Sequence, residues 1–153
     1  MSWNSASAAN GAHTLTARAR DAAGNQTTSA AVSVTVSNAA PDTTPPTVTA
    51  TSPASGVIGV SRTANITATF SEAMAAATIN TGTVELRDAS GTLVPAVMTY
   101  STANRRATLN PTPTLNALAI YTVTVKGGAA DPRVKDVAGN ALATSAIWSF
   151  TTR

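Results

Sequence analysis

One pentapeptide occurs twice in this chain, as Asp21-Ala-Ala-Gly-Asn25 and as Asp136-Val-Ala-Gly-Asn140. Each copy stands between two runs in which apolar and polar residues alternate. Leu15, Ala17 and Ala19 precede the first copy, and Val32, Val34 and Val36 follow it. Tyr121, Val123 and Val125 precede the second, and Trp148 and Phe150 follow it. Alternation with period two is the pattern of a half-buried strand. An Asp that bonds to nearby backbone N–H groups, followed by Gly and Asn that tolerate positive φ, is turn chemistry. Both copies therefore read as β-hairpins that close a repeated unit.

Similar turn signals recur about every ten residues along the chain, the rhythm of a sandwich or barrel. Charged residues are only 11% of the 153, and aromatics only 4%. Thr and Ala fill the gap, and β-branched residues suit a pleated surface, so the composition is all-β. Strands are expected at Val48–Ser52, Ala64–Ser71, Thr83–Asp88, Val97–Tyr100, Ala107–Asn110, Tyr121–Lys126 and Ile147–Thr152. Ile66, Ala68, Phe70, Val84, Leu86, Met98, Tyr100, Ala107 and Leu109 are expected to face inward. Ser71 is expected to cap a short helical turn over 71–77. Tyr121 is expected to turn its hydroxyl back onto upstream backbone at a corner. Pro41, Pro45 and Pro46 mark an extended spacer. The expected partition is a two-strand remnant over 1–38, a linker over 39–46 and an immunoglobulin-like domain over 47–153.

Chemistry is thin. The chain has no Cys and one His, which excludes disulfides, thiolate sites and His-built zinc or copper centres, and so speaks against the copper carriers of related sandwich shape. His13 is expected on a strand, with no nucleophile-elbow pattern. The acids Asp21, Asp42, Glu72, Glu85, Asp88, Asp131 and Asp136 form no convincing carboxylate pair, so no enzyme is expected. Ten basic residues are scattered, with one adjacent pair, Arg105-Arg106, so no nucleic-acid footprint is present. No apolar run is long enough for a membrane helix. The start, Met1-Ser-Trp-Asn4, has no leader pattern and reads as a beginning inside a repeat. The candidate sites are a weak calcium site on Asp131, Asp136 and Asn140, and a sugar-stacking position at Trp3. Trp148, Phe150, Tyr100 and Tyr121 are expected in the core.

Six motifs then occur in a set order: Pro53-Ala-Ser-Gly-Val-Ile-Gly-Val60, Phe70-Ser-Glu-Ala-Met74, Leu109-Asn-Pro111, Tyr121-Thr-Val-Thr-Val125, Asp136-Val-Ala-Gly-Asn140 and Trp148-Ser-Phe-Thr-Thr152. This resembles the bacterial Ig-like domains of the S-layer SbsA type, over about Thr47 to Arg153. Residues 11–38 are similar to the last two strands of another such repeat. The resemblance implies a seven-stranded immunoglobulin-like β-sandwich with an extra N-terminal hairpin. It also implies a spacer or adhesive role in a secreted or cell-surface protein, with neighbouring repeats as partners. Self-association through the hairpin and binding of polysaccharide, as an accessory module of a polysaccharide-active enzyme, are the further expectations. Two departures from the family pattern stand out. Ala75 occupies a position where an acid could assist Glu72 at an ion site, and Asn116-Ala-Leu-Ala119 lacks the Gly usual in the Tyr-corner loop.

Overall fold

The computed structural model describes residues 4–153, which form two compact units divided between Pro41 and Asp42. In the first unit, β1 (Gly11–Leu15) pairs antiparallel with β4 (Val32–Val36), and β2 (Arg18–Arg20) pairs with β3 (Gln26–Thr28). Ser29 joins the two ladders, its N–H donating to the Ala17 carbonyl and its hydroxyl accepting from the Ala17 N–H. They are thus two halves of one hairpin. Nearly every side chain in it is exposed, and Val36 alone is buried among its described residues.

The second unit carries seven strands: β5 (Val48–Ser52), β6 (Ile66–Phe70), β7 (Val84–Asp88), β8 (Ala96–Ser101), β9 (Arg106–Pro111), β10 (Ile120–Val125) and β11 (Ala146–Thr151). They form a four-stranded sheet, β5-β6-β9-β8, and a three-stranded sheet, β11-β10-β7. All pairings are antiparallel. With the strands lettered A to G in chain order, the sheets are ABED and CFG, the arrangement of an immunoglobulin-like sandwich. Period-two alternation selects the faces. Ile66, Ala68 and Phe70 are buried between the sheets while Thr67 and Thr69 stay partly exposed, and Tyr121, Val123 and Val125 do the same on β10. Trp148 and Phe150 lie in this core as expected, and Tyr100 packs edge-on against Phe70.

The Tyr corner forms, with the Asn116 N–H donating to the Tyr121 hydroxyl over 2.9 Å. In its loop Leu118 adopts φ 53° and is 81% exposed. This is the position where a glycine relieves a left-handed backbone, which costs an L-residue roughly 1–2 kcal/mol. Leu118→Gly is therefore expected to raise stability by about 0.5–1 kcal/mol, after the greater freedom of the unfolded chain is subtracted. An unchanged or lowered denaturation midpoint would contradict this.

The helical expectation is corrected in detail. The only helical turn near Ser71 is a 3-10 turn at Ala76–Thr78, preceded by Ala75 with no side-chain cap. Ser71 works elsewhere: its hydroxyl accepts from the Thr47 N–H at 3.0 Å, and its own N–H donates to the Thr47 carbonyl. Pairing with the incoming chain competes with capping and wins, because Ser71 directly follows a paired strand.

The sandwich has two distinct poles. The chain enters at the end of β6, where Val48 is opposite Phe70, and leaves at the start of β10, where Thr151 is opposite Ile120. Strands of five and six residues separate these poles by about 20 Å.

Candidate functional site

Both Asp-x-x-Gly-Asn copies fold alike. In each, the Asn N–H and side-chain amide donate to the two Asp carboxylate oxygens at 2.8 Å. The Gly N–H donates to the Asp carbonyl, and the Gly takes φ +95° or +96°. Their surroundings differ. Asp21 is exposed, whereas Asp136 is 1% exposed and stands at the entry pole of the sandwich.

Two further carboxylates meet Asp136 there. The segment after β6 is tied to the β10–β11 loop: the Ala75 N–H donates to the Lys135 carbonyl, and the Val137 N–H donates to the Ala73 carbonyl. This draws Glu72 toward Asp136. The Asn140 amide donates both to the Asp136 carboxylate at 2.8 Å and to the Asp42 carbonyl at 3.1 Å, which holds Asp42 against the same loop. One carboxylate oxygen from each of Asp42, Glu72 and Asp136 lies within 4.8 Å of the others. None of the three is in an ion pair among the described residues. Desolvation holds the Glu72 carboxyl above its usual range, reinforced by the charges of Asp42 and Asp136 and by a hydrogen bond shared with Asp42. Like charges at this spacing disfavour joint ionisation.

Of the calcium residues expected from sequence, Asp136 and Asn140 lie at this cluster. Asp131 is exposed and engaged with Arg133 at 3.2 Å and Lys135 at 3.1 Å. Hydrogen bonding to Lys135 outweighs the opposing desolvation and lowers the Asp131 pKa. From sequence, Asp42 falls in the expected linker over 39–46 and Glu72 pairs with no other acid; the hint of a role for Glu72 is the Ala75 position, where an acid could have assisted it. Trp3 lies outside the described residues. Trp148, Phe150 and Tyr121 are buried, and the half-buried Tyr100 accepts a hydrogen bond from the Met74 N–H.

A second charged group sits on the outer face of the three-stranded sheet. Glu85, 7% exposed, accepts from Arg87 and from Lys126. Burial pushes its carboxyl upward, but the hydrogen bonds and charges of Lys126 and Arg87 prevail and hold it below the usual range. His13 is on β1, with its Nε2 2.7 Å from the Ala9 carbonyl.

The sequence profile of a bacterial Ig-like domain family matches residues 42–152. Among curated proteins, no sequence match is found. In structure, the chain is similar to CopC from Methylosinus trichosporium OB3b, with a TM-score of 0.56 and 18% identity, covering 70% of this chain and 92% of that one. It is also similar to the N-terminal part of the bacterial S-layer protein SbsC, with a TM-score of 0.52 and 21% identity over 72% of this chain. The match spans only 24% of that longer chain. PcoC, a methionine-rich copper resistance protein from Escherichia coli, gives a TM-score of 0.53 at 16% identity, with 72% and 100% of the two chains covered. At these identities the likeness is one of fold.

Proposed function

Because the chain from residue 42 to 152 belongs to the bacterial Ig-like domain family, we propose that it is a non-catalytic spacer or adhesive module of a secreted or cell-surface bacterial multidomain protein. The supporting observation is polarity: the chain enters the sandwich at one pole and leaves at the other. Such modules thread head to tail without a return crossing. Residues 1–38 are then the closing hairpin of a preceding repeat, and neighbouring repeats are the partners. Copies of the whole chain joined in tandem should show a maximum dimension in solution scattering that grows nearly linearly with copy number. Growth with only the cube root of mass would count against the reading.

The copper-protein fold does not redirect this proposal. The sandwich offers only two thioethers, with Met74 buried and Met98 half-buried, and the one His lies in the hairpin. Polysaccharide binding is the second reading, and it rests on Trp3. Retardation in a polysaccharide gel that disappears on Trp3→Ala would replace the spacer role with it.

Calcium fits the Asp42–Glu72–Asp136 cluster by charge and by oxygen chemistry, although full coordination requires six to eight oxygens. A shared cation would also relieve the repulsion on Glu72. The pH signature has a definite sign. Because the folded Glu72 pKa is raised, the native state binds more protons, and stability falls as pH rises from about 4.5 through the folded value. Glu72→Gln should therefore be the more stable protein at pH 7 in chelator, with the gap closing toward pH 4. Glu85→Gln should behave oppositely, losing near neutrality a stabilisation that wild type loses only as pH falls through its lowered value. Millimolar Ca²⁺ should raise the wild-type melting temperature and do less for Glu72→Gln. Equal melting of wild type in Ca²⁺ and in chelator would retire the cation.

A further inference from the structure

A strand at the edge of a sheet presents a row of N–H and C=O groups ready to pair with another chain. Four strands end the two sheets of the sandwich, and three of them are managed. Along β11 the segment 56–60 runs parallel, with hydrogen bonds from Gly56 to Ser149, Thr151 to Val57, Val60 to Thr151 and Arg153 to Val60. Along β7 the returning chain pairs through Asp88 to Thr92 and Val94 to Leu86. β5 is broken by a register shift between Val48 and Ala50 and lies between Pro46 and Pro53. Both devices blunt an edge.

β8 directly follows Pro95 but has neither a covering segment nor a register shift. Ala96-Val-Met-Thr-Tyr-Ser101 contains no charge and no proline, and no backbone partner stands on its outer side among the described residues. Ladder parity shows which groups face outward. The Thr112 N–H donates to the Pro95 carbonyl, one step beyond the Ala96↔Pro111 pair. Bonded pairs alternate in an antiparallel ladder, so Val97, Thr99 and Ser101 point their backbone groups at β9. Ala96, Met98 and Tyr100 point theirs away from the sheet.

We propose that β8 is a self-recognition edge, at which a second copy of this chain adds its own β8 antiparallel about a two-fold axis at Met98. Ala96 then faces Tyr100 of the second copy, Met98 faces Met98, and Tyr100 faces Ala96. All three outward residues of each copy are used, in about six backbone hydrogen bonds. On the outer surface Val97, 59% exposed, lies opposite Thr99 of the second copy. These are the non-bonded positions, where side chains come closest. The strand carries no charge to repel its own image, and Tyr100 is already fixed by Phe70 and by the Met74 N–H. The outcome is one eight-stranded sheet running through two modules. A single six-residue edge covers less than the roughly 1,200 Å² of a stable interface. One pair is therefore weak, and it persists where many modules share a surface and raise the effective concentration to about millimolar. The pairing goes beyond the spacer reading and stands without it.

The test is amide NMR of the intact chain from micromolar to millimolar concentration. The Ala96, Met98 and Tyr100 amides should shift with concentration and slow in hydrogen exchange, while those of Val97 and Thr99, already bonded to β9, should not slow. V97K with T99K places lysines opposite each other in both outer pairs and should weaken association roughly threefold to tenfold; V97K with T99E faces opposite charges and should strengthen it by a similar factor. Both positions are exposed, so melting of the variants should match wild type. The pairing is overturned if the three amides do not respond, if the responses fall on residues 11–36 instead, or if the two variants associate equally.

Discussion

Phe70→Ala is expected to lower the stability of the sandwich by about 3–5 kcal/mol, a large part of the roughly 5–15 kcal/mol typical of a domain. Phe70 is 1% exposed and ends β6, where it meets the Tyr100 ring edge-on with centroids 6.4 Å apart. Its loss opens a cavity between the sheets and also loosens the strand end that carries Ser71 and Glu72. Denaturant unfolding should show a lower midpoint. A fall of less than about 1 kcal/mol would mean the site collapses without penalty and that Phe70 is not a keystone of the core.

Gly127→Ala is the second large effect, and its cause is steric. A Cβ at Gly127 would stand 2.5 Å from the Leu142 carbonyl oxygen and 2.6 Å from that of Thr144. Both are backbone atoms of the β10–β11 loop, which the Gly127 and Gly128 N–H groups already hold through Ser145 and Leu142. The loop cannot move without breaking those bonds. The expected loss is about 3 kcal/mol, at or beyond the upper end of overpacking costs. Gly128→Ala provides the contrast. Its φ of +98° is strained for any L-residue, but nothing lies within 4 Å, so about 1–2 kcal/mol is expected. Equal melting temperatures for the two variants would remove the steric argument.

The difference between these neighbouring glycines marks the reach of sequence reasoning. A Gly-Gly pair signals a loop, but which of the two is crowded depends on a chain segment some fifteen residues away. The strands were legible because alternation is local. All seven sandwich strands lie within about two residues of where the alternation predicts them, and the inward strand residues, from Ile66 to Phe150, line the core, which Met74, Ile79, Leu115, Val134 and Leu142 complete from outside the strands. The Tyr121 corner was legible for the same reason, since its partner Asn116 is five residues away. Ser71 misled because capping and strand pairing use the same hydroxyl, and the choice rested with Thr47.

The acidic cluster was only half visible. Asp136 and Asn140 signalled a turn with spare oxygens, and the residues assigned with them included Asp131, which the structure gives to Arg133 and Lys135. Asp42 and Glu72 arrive from distant parts of the chain, one through the Asn140 amide and the other through the Ala75–Lys135 backbone bond. Neither contact has a sequence signature.

The repeated pentapeptide divides the two kinds of information. Its sequence alone determined the turn, because every bond within Asp-x-x-Gly-Asn closes inside five residues and forms alike in both copies. Only the tertiary structure decided that the Asp of one copy is exposed at a hairpin tip while the Asp of the other is buried at the entry pole of the sandwich. Burial depends on what two sheets bring against the turn. Those contacts are set by packing between residues far apart in the chain, not by the turn itself.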